Sequence, residues 1–119
     1  MDVQNTVAIR IYSSYTVTMG EWPEELKACT GFQWDADNIQ KNRERHQVSA
    51  AECEQLFFQR PVVIAPDPKH AQDEARFAAL GQTAGGRRLT IVFTIRGTLI
   101  RVISARPMSR RERRVYERA

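Results

Sequence analysis

The sequence predicts an α+β domain: two N-terminal helices, a four-stranded antiparallel sheet and a basic C-terminal helix. Three observations carry this. Asp35 and the Ser49/Glu52 pair are successive helix-start signals. Leu89 to Ile95 and Leu99 to Ala105 are β-branched and apolar runs on either side of Arg96-Gly97, where glycine supplies the positive φ of a tight hairpin. Ser109 with Glu112 repeats the capping-box spacing and marks a last helix.

In chain order, residues 1–31 carry the weakest signals. Val7, Ile9 and Ile11 alternate with Ala8, Arg10 and Tyr12 as in a strand, but Ser13-Ser14 and Met19-Gly20 interrupt the pattern and Trp22-Pro23 opens a short acidic turn. An added strand, an exposed tail, or translation from a start upstream of the natural one (Met19 being the alternative) all fit. The segment is read as an extension, and the domain as residues 32–119. Phe32-Gln33-Trp34 leads to the N-cap Asp35 and a helix to about His46, with Ile39, Arg43 and His46 on one face. Gln47-Val48 is a brief break. Ser49 then opens a helix whose apolar stripe is Cys53, Leu56 and Phe57. Pro61 precedes a short strand, Val62 to Ala65, and the proline-rich Pro66–His70 stretch reads as a loop. A strand pattern resumes from Arg76 to Leu80, and Gly85-Gly86 turns the chain into the hairpin.

Length and composition bound the function classes. A chain of 119 residues with 42% hydrophobic content is long enough for one buried core. No apolar run approaches the roughly 20 residues of a membrane-spanning helix, and the first residues lack a secretory pattern. Cys29 and Cys53 are too few for a disulfide framework and form no metal-ligand spacing. A reducing cytoplasm is therefore expected, with no structural zinc, no metal and no cofactor. Phosphate loops, nucleophile elbows and dinucleotide fingerprints are missing.

Charge is distributed unevenly. From Gly85 to Ala119 there are ten arginines against Glu112 and Glu117, a net +8; since the chain totals +4, residues 1–84 carry about −4. A concentrated positive field attracts a polyanion and releases its counterions. All ten cations are arginine, whose planar fork grips phosphate and stacks on unpaired bases. A solvated basic helix is the bland alternative. Arg101 and Arg106 weigh against it, because solubility alone does not place charges within or just beyond an apolar strand.

Several side chains are candidates for chemistry. Arg76 and Arg101 lie in expected strands and would converge on an uncovered sheet face if those strands are neighbours, with the hydroxyls of Thr94 and Ser104 nearby. Such a cluster suits a phosphodiester, whose transition state gains negative charge. His46 is read as a structural hydrogen-bonding residue ahead of a general acid or base. Tyr116 is a core aromatic by preference, with base stacking and proton transfer as alternatives. His70 is expected to be exposed and inert. Asp67, Asp73 and Glu74 would order their loop or contact the basic hairpin, ahead of serving as a catalytic pair.

These residues together resemble the BrnT family of bacterial type II toxins, partners of BrnA antitoxins. The matching residues are Phe32-x-Trp34-Asp35, Asn42, Arg45-His46-x-Val48-Ser49, Phe57, Pro61, Asp67-Pro68-x-His70, Glu74-x-Arg76-Phe77 and Thr94-x-Arg96-Gly97. Ile100 to Arg106, running into Ser109-Arg110-Arg111-Glu112-Arg113-x-x-Tyr116, completes a collinear set over residues 32–117. The resemblance implies a compact RelE-like ribonuclease fold, RNA cleavage that arrests translation and growth, and neutralisation by a tightly bound antitoxin. The antitoxin's DNA-binding portion would bring the pair, in an assembly such as a heterotetramer, to its own operator. Three departures stand out: Gln47 replaces a usual glycine, residues 1–31 lie outside the family domain, and Ile95 stands where many members carry glutamate. If that carboxylate assists proton transfer in the family, catalysis here relies on other groups or is impaired.

The resulting expectation is a metal-independent endoribonuclease in which the RNA 2′-hydroxyl attacks the adjacent phosphate. Arg76 and Arg101 would stabilise phosphoryl charge, His46 or Tyr116 would move protons, and Thr94 would assist. Arg96, Arg106, Arg110, Arg111 and Arg114 would hold the RNA backbone or meet an acidic antitoxin surface. The rival is a non-catalytic basic module that binds nucleic acid or a partner protein.

Overall fold

The structure, a computed structural model, describes residues 11–12, 15–16, 22–59, 61–67 and 74–118. Most of the possible strand at residues 7–12, the alternative start Met19 and the loop residue His70 lie outside the described residues. The elements are β1 (Ile11–Tyr12), β2 (Tyr15–Thr16), α1 (Glu24–Lys27), β3 (Gly31–Gln33), α2 (Ala36–His46), α3 (Ala50–Leu56), β4 (Val63–Pro66), β5 (Phe77–Gln82), β6 (Arg88–Arg96), β7 (Leu99–Pro107) and α4 (Arg110–Glu117). β1 and β2 pair with each other, and the other five strands form one sheet in the order β3-β7-β6-β5-β4.

The fold is α+β, with two corrections to the expected architecture. Among the described residues there are four helices instead of three, because Pro23 initiates the short α1 and lets Leu26 reach the core. The sheet is five-stranded and mixed instead of four-stranded and antiparallel, because β3 adds to β7 in parallel, Phe32 opposite Ile100 and Gln33 opposite Arg101. Three residues are too few for an alternating pattern to announce a strand. The buried core also reaches back across the expected boundary at residue 32, with Trp22 and Leu26 both buried.

The predicted local signals are present. Asp35 caps α2 by accepting from the Asp37 N–H at 2.8 Å. Reciprocal Ser49/Glu52 and Ser109/Glu112 capping boxes open α3 and α4. Gly97 turns the β6–β7 hairpin with φ +62°. Gln47 ends α2 in the left-handed region at φ 53°, the conformation for which glycine is the usual residue.

One face of the sheet makes the main core. Phe77 stacks on Phe93, Phe93 meets Phe57 edge-on, and Phe57 tilts against Phe32. Leu56 of α3 sits so close over Gly81 that a Cβ there would lie 2.7 Å from its Cγ. At the other sheet edge α2 finishes what the short β3 leaves open. Asn38 donates to Val102 O (3.4 Å), Lys41 to Ile103 O (3.1 Å), and the Ala105 N–H donates to Asn42 Oδ1 (3.2 Å). Polar side chains on the inner face of a helix thus satisfy a strand edge, and Asn42 is buried for that reason.

A bulge in the hairpin decides where its arginines point. Phe93 pairs with Val102 and Val92 with Ser104, leaving Ile103 as an extra residue in β7. Strict alternation would put Arg101 and Arg106, five residues apart, on opposite faces. The bulge puts both on the face away from the main core, opposite Thr94 and Thr90 respectively.

Candidate active site

That second face is divided in two. α4 covers one end, where the Glu112 carboxylate takes a bidentate grip from Arg106 at 2.7 and 2.8 Å and also accepts from the Thr90 hydroxyl at 2.8 Å. Tyr116 is buried beside it. Its hydroxyl donates to Pro61 O at 2.8 Å, and the Arg88 guanidinium lies 5.6 Å from the ring centre. Burial raises the Tyr116 pKa, partly offset by the Arg88 charge.

The other end carries a lateral row. β3, β7 and β6 bring Gln33, Arg101 and Thr94 side by side. Arg76, one residue before β5, extends the register in which Phe77 faces Phe93 and so falls beside Thr94. Arg96 lies two residues beyond Thr94 on the same strand face, and Glu74 two residues before Arg76. Arg101, whose side chain is 21% exposed, donates to Asp35 Oδ2 at 3.2 Å. Arg96 donates to both Glu74 oxygens, at 3.1 and 3.4 Å. Those hydrogen bonds hold the Glu74 carboxyl below the usual carboxylate range, and the charges of Arg96, Arg101 and Arg76 add to the effect. Arg96 is correspondingly raised.

Three arginines therefore surround one exposed carboxylate at the open end of the sheet. The Thr94 hydroxyl is fully buried and has no hydrogen-bond partner among the described residues, so Thr94 underlies this group of side chains instead of fronting it.

Other expected site residues lie elsewhere. His46 ends α2, whereas Asp35 begins it; eleven residues of helix at about 1.5 Å each separate them by roughly 16 Å. At His46 it is the backbone that is engaged, its carbonyl accepting from Arg87 Nη2 at 2.7 Å. Tyr116 is a core residue with its hydroxyl occupied. Arg106 is committed to Glu112. Arg110, Arg111 and Arg114 are exposed on α4, beside the end of the face that α4 covers.

Two members of the arginine group were undervalued in the sequence. Asp35 reads as a cap, and its second oxygen is free to hold Arg101 only because β3 places Gln33 opposite that residue. Glu74 shares the alternation of Arg76 and could have been found from that spacing.

Position 95 is also clarified. Ile95 is half-buried against the main core, on the face opposite Arg101, so isoleucine there removes no carboxylate from the arginine row. A separate open cleft beside α1, lined by Trp22, Leu26, Phe32, Phe57 and Phe58, has Lys27 as the one cation among its described lining residues and is mostly apolar.

The arrangement stabilises negative charge at a solvent-facing position and supplies a carboxylate within it, which are the needs of phosphodiester chemistry. The chain is similar in fold to the crystal structure of the Brucella abortus ribonuclease toxin BrnT. The TM-score is 0.53 at 23% sequence identity, covering 67% of this chain and 97% of that one. No curated protein matches the chain significantly. The family model for BrnT, the ribonuclease toxin of type II toxin–antitoxin systems, matches residues 34–112, a span from the Trp34-Asp35 entry to Glu112 that includes every arginine of the row. The chain belongs to the BrnT family of ribonuclease toxins.

Proposed function

We propose that this toxin is a metal-independent endoribonuclease that cuts RNA through the substrate's own 2′-hydroxyl, and that a BrnA-type antitoxin holds it inactive in the cytoplasm. The observation that carries the reading is the convergence of Arg76, Arg96 and Arg101 at the uncovered end of an otherwise packed sheet face. Arg101 is half-buried and held by Asp35, so its guanidinium is pre-positioned, and a fixed cation is worth more to a developing phosphoryl charge than a mobile one. Arg76 flanks it on the same row. The exposed arginines of α4, Arg110, Arg111 and Arg114, extend the field along the RNA backbone or meet an acidic antitoxin surface. Proton transfer by His46 or Tyr116 gains no support from their placement. DNA enters only through the antitoxin, and a heterotetramer is one assembly compatible with such a pair.

Purified protein incubated with RNA in excess chelator tests this directly. Cleavage should persist, and a requirement for divalent metal would remove the metal-independent part of the proposal. Arg101→Ala should lower cleavage far more than RNA affinity. Loss of affinity alone, with no cleavage by the wild type, would favour a non-catalytic RNA-binding module. Expression of the chain should arrest growth, and co-expression of the neighbouring antitoxin gene should relieve it.

A further inference from the structure

The proposed reaction needs a base for the 2′-hydroxyl, and of the two groups first considered for proton transfer His46 lies at the far end of α2 and Tyr116 spends its hydroxyl on Pro61. We infer that Glu74 is the catalytic base, taking the 2′-hydroxyl proton of the nucleotide whose phosphate rests on Arg76 and Arg101. The assignment rests on the endoribonuclease reading and deepens it.

The geometry favours Glu74 over the other acids. Its carboxylate is solvent-facing and reaches the guanidinium of Arg96 at 3.1 Å, while Arg76 and Arg101 act on it through space from its own segment and from β7. An anion drawn to those arginines therefore arrives beside this carboxylate. Asp35 is the nearest competitor, but one of its oxygens is fixed by capping α2 and the other by the half-buried Arg101, whereas the two Glu74 oxygens are held only by the exposed side chain of Arg96. Glu112 is buried beneath α4 with Arg106. Asp67 continues the β4 register opposite Arg76, its N–H donating to the Arg76 carbonyl at 2.8 Å, and so stands at the outer end of the row with β5 and β6 between it and Arg101, whereas Glu74 feels Arg96, Arg101 and Arg76 together.

The step conserves atoms and charge. The 2′-oxygen forms its bond to phosphorus as its proton passes to Glu74, and the bond from phosphorus to the 5′-oxygen breaks. The departing 5′-oxygen takes a proton from solvent water. The products are a 2′,3′-cyclic phosphate and a 5′-hydroxyl end, and Glu74 returns its proton to bulk solvent. Arg96 holds the carboxylate in its charged form between turnovers, so the base is ionised throughout the neutral range. The groups facing Glu74 are Arg96 on β6, Arg101 on β7 with Asp35 behind it, and Arg76 on its own segment.

The test compares wild type, Glu74→Gln and Glu74→Asp on an RNA oligonucleotide that the wild type cuts. Affinity is measured on the same oligonucleotide with a 2′-deoxy residue at the cut site. Glu74→Gln should slow cleavage about 10²- to 10⁴-fold while the affinity changes less than threefold. Glu74→Asp should retain part of the rate. The wild-type rate should fall at acid pH, below the ordinary carboxylate range, and that limb should be missing in Glu74→Gln. A matching thermal midpoint in the variants confirms that the fold is intact. Cleavage by Glu74→Gln at or above the wild-type rate would overturn the assignment and leave Glu74 as a counter-ion that phosphate displaces. Parallel loss of rate and affinity would overturn it too, making Glu74 a residue that positions Arg96. RNA left intact by the wild type would sink the endoribonuclease reading itself, which is a separate result from either of these.

Discussion

Replacing Glu112 should unlock α4 from the sheet without touching the arginine row. The Glu112 side chain is only 7% exposed. It accepts from Arg106 twice, from the Ser109 N–H at 2.8 Å and from the Thr90 hydroxyl at 2.8 Å. Glu112→Ala removes the capping box, which costs about 1 kcal/mol. It leaves the buried Thr90 hydroxyl unpaired, about 1–3 kcal/mol. The Arg106 side chain is 36% exposed, so water reclaims part of its lost pairing and adds only about 1 kcal/mol. The total is about 3–5 kcal/mol, in the range of a broken buried pair, or a fall in Tm of very roughly 12–20 °C at about 4 °C per kcal/mol. Glu112→Gln keeps the shape and the acceptor for Ser109 and Thr90 and should lose about half as much. Urea unfolding with a constant m-value reads both. An Ala variant within 1 kcal/mol of wild type, or a Gln variant as weak as Ala, would refute the account of a carboxylate shared among cap, strand and arginine. The same pair of variants separates Arg106 from the arginines proposed to bind RNA, because its loss should register in stability before affinity.

Three further outcomes follow from local geometry. Gly81→Ala should destabilise by about 1–3 kcal/mol in urea, since the new methyl meets the buried Leu56 at 2.7 Å; a neutral result would mean that α3 shifts freely over β5. Gln47→Gly should raise stability by up to about 1 kcal/mol by removing a side chain from a left-handed residue, measured by the same unfolding curve, and a loss would mean that the Gln47 side chain's bond to the Glu44 carbonyl at 3.2 Å outweighs the strain. Burial pushes the Cys53 thiol up to about 12, leaving a thiolate fraction of about 10⁻⁴ at pH 8. A thiol reagent should therefore label Cys29, itself raised but half-buried, long before Cys53, which should react only on unfolding; equal rates would contradict the packing of α3.

What the sequence made legible was everything encoded within one turn or one strand. Asp35, Ser49/Glu52 and Ser109/Glu112 announce helix starts because capping is a contact between residues at most three apart, and Gly97 announces the hairpin for a similarly local reason. β3 was illegible because its evidence is non-local: Gly31-Phe32-Gln33 becomes a strand only when β7 offers an edge, and α2 continues that edge with Asn38, Lys41 and Asn42. The bulge at Ile103 was equally hidden, since nothing in Leu99 to Ala105 breaks the β-branched run. Within the site, Arg76 and Arg101 are expected from the sequence to converge if their strands are neighbours; β6 lies between β5 and β7, and Arg76 precedes β5, so the two are brought to one face across an intervening strand. His46 and Tyr116 read first as a structural residue and a core aromatic, and their alternative role in proton transfer rests on chemical capacity, which carries no information about distance. One lies at the far end of α2; the other spends its hydroxyl on Pro61.

The ten C-terminal arginines are thus not one patch. Arg87 closes the end of α2 against the carbonyls of His46 and Gln47 and reaches Glu52; Arg88 lies over Tyr116 and pairs with Glu117; Arg106 is locked to Glu112. Those charges belong to folding. What divides Arg88 and Arg106 from Arg96 and Arg101 is α4: the extra residue in β7 brings Arg101 and Arg106 to one face, and α4 covers only the Arg106 end. In the free protein the two exposed-end arginines are held by carboxylates, Arg101 by Asp35 and Arg96 by Glu74. A phosphate entering the row must compete with both, and it meets unequal opponents. Asp35 is fixed by its capping bond, so Arg101 keeps its position whichever anion it faces. Glu74 has no such anchor among its described bonds, so on the proposed mechanism it would yield Arg96 to the RNA backbone and turn to the 2′-hydroxyl. On the proposed mechanism Arg101 would receive phosphate without moving while the Arg96–Glu74 pair opens, and that opening would free the base in the same event that seats the substrate.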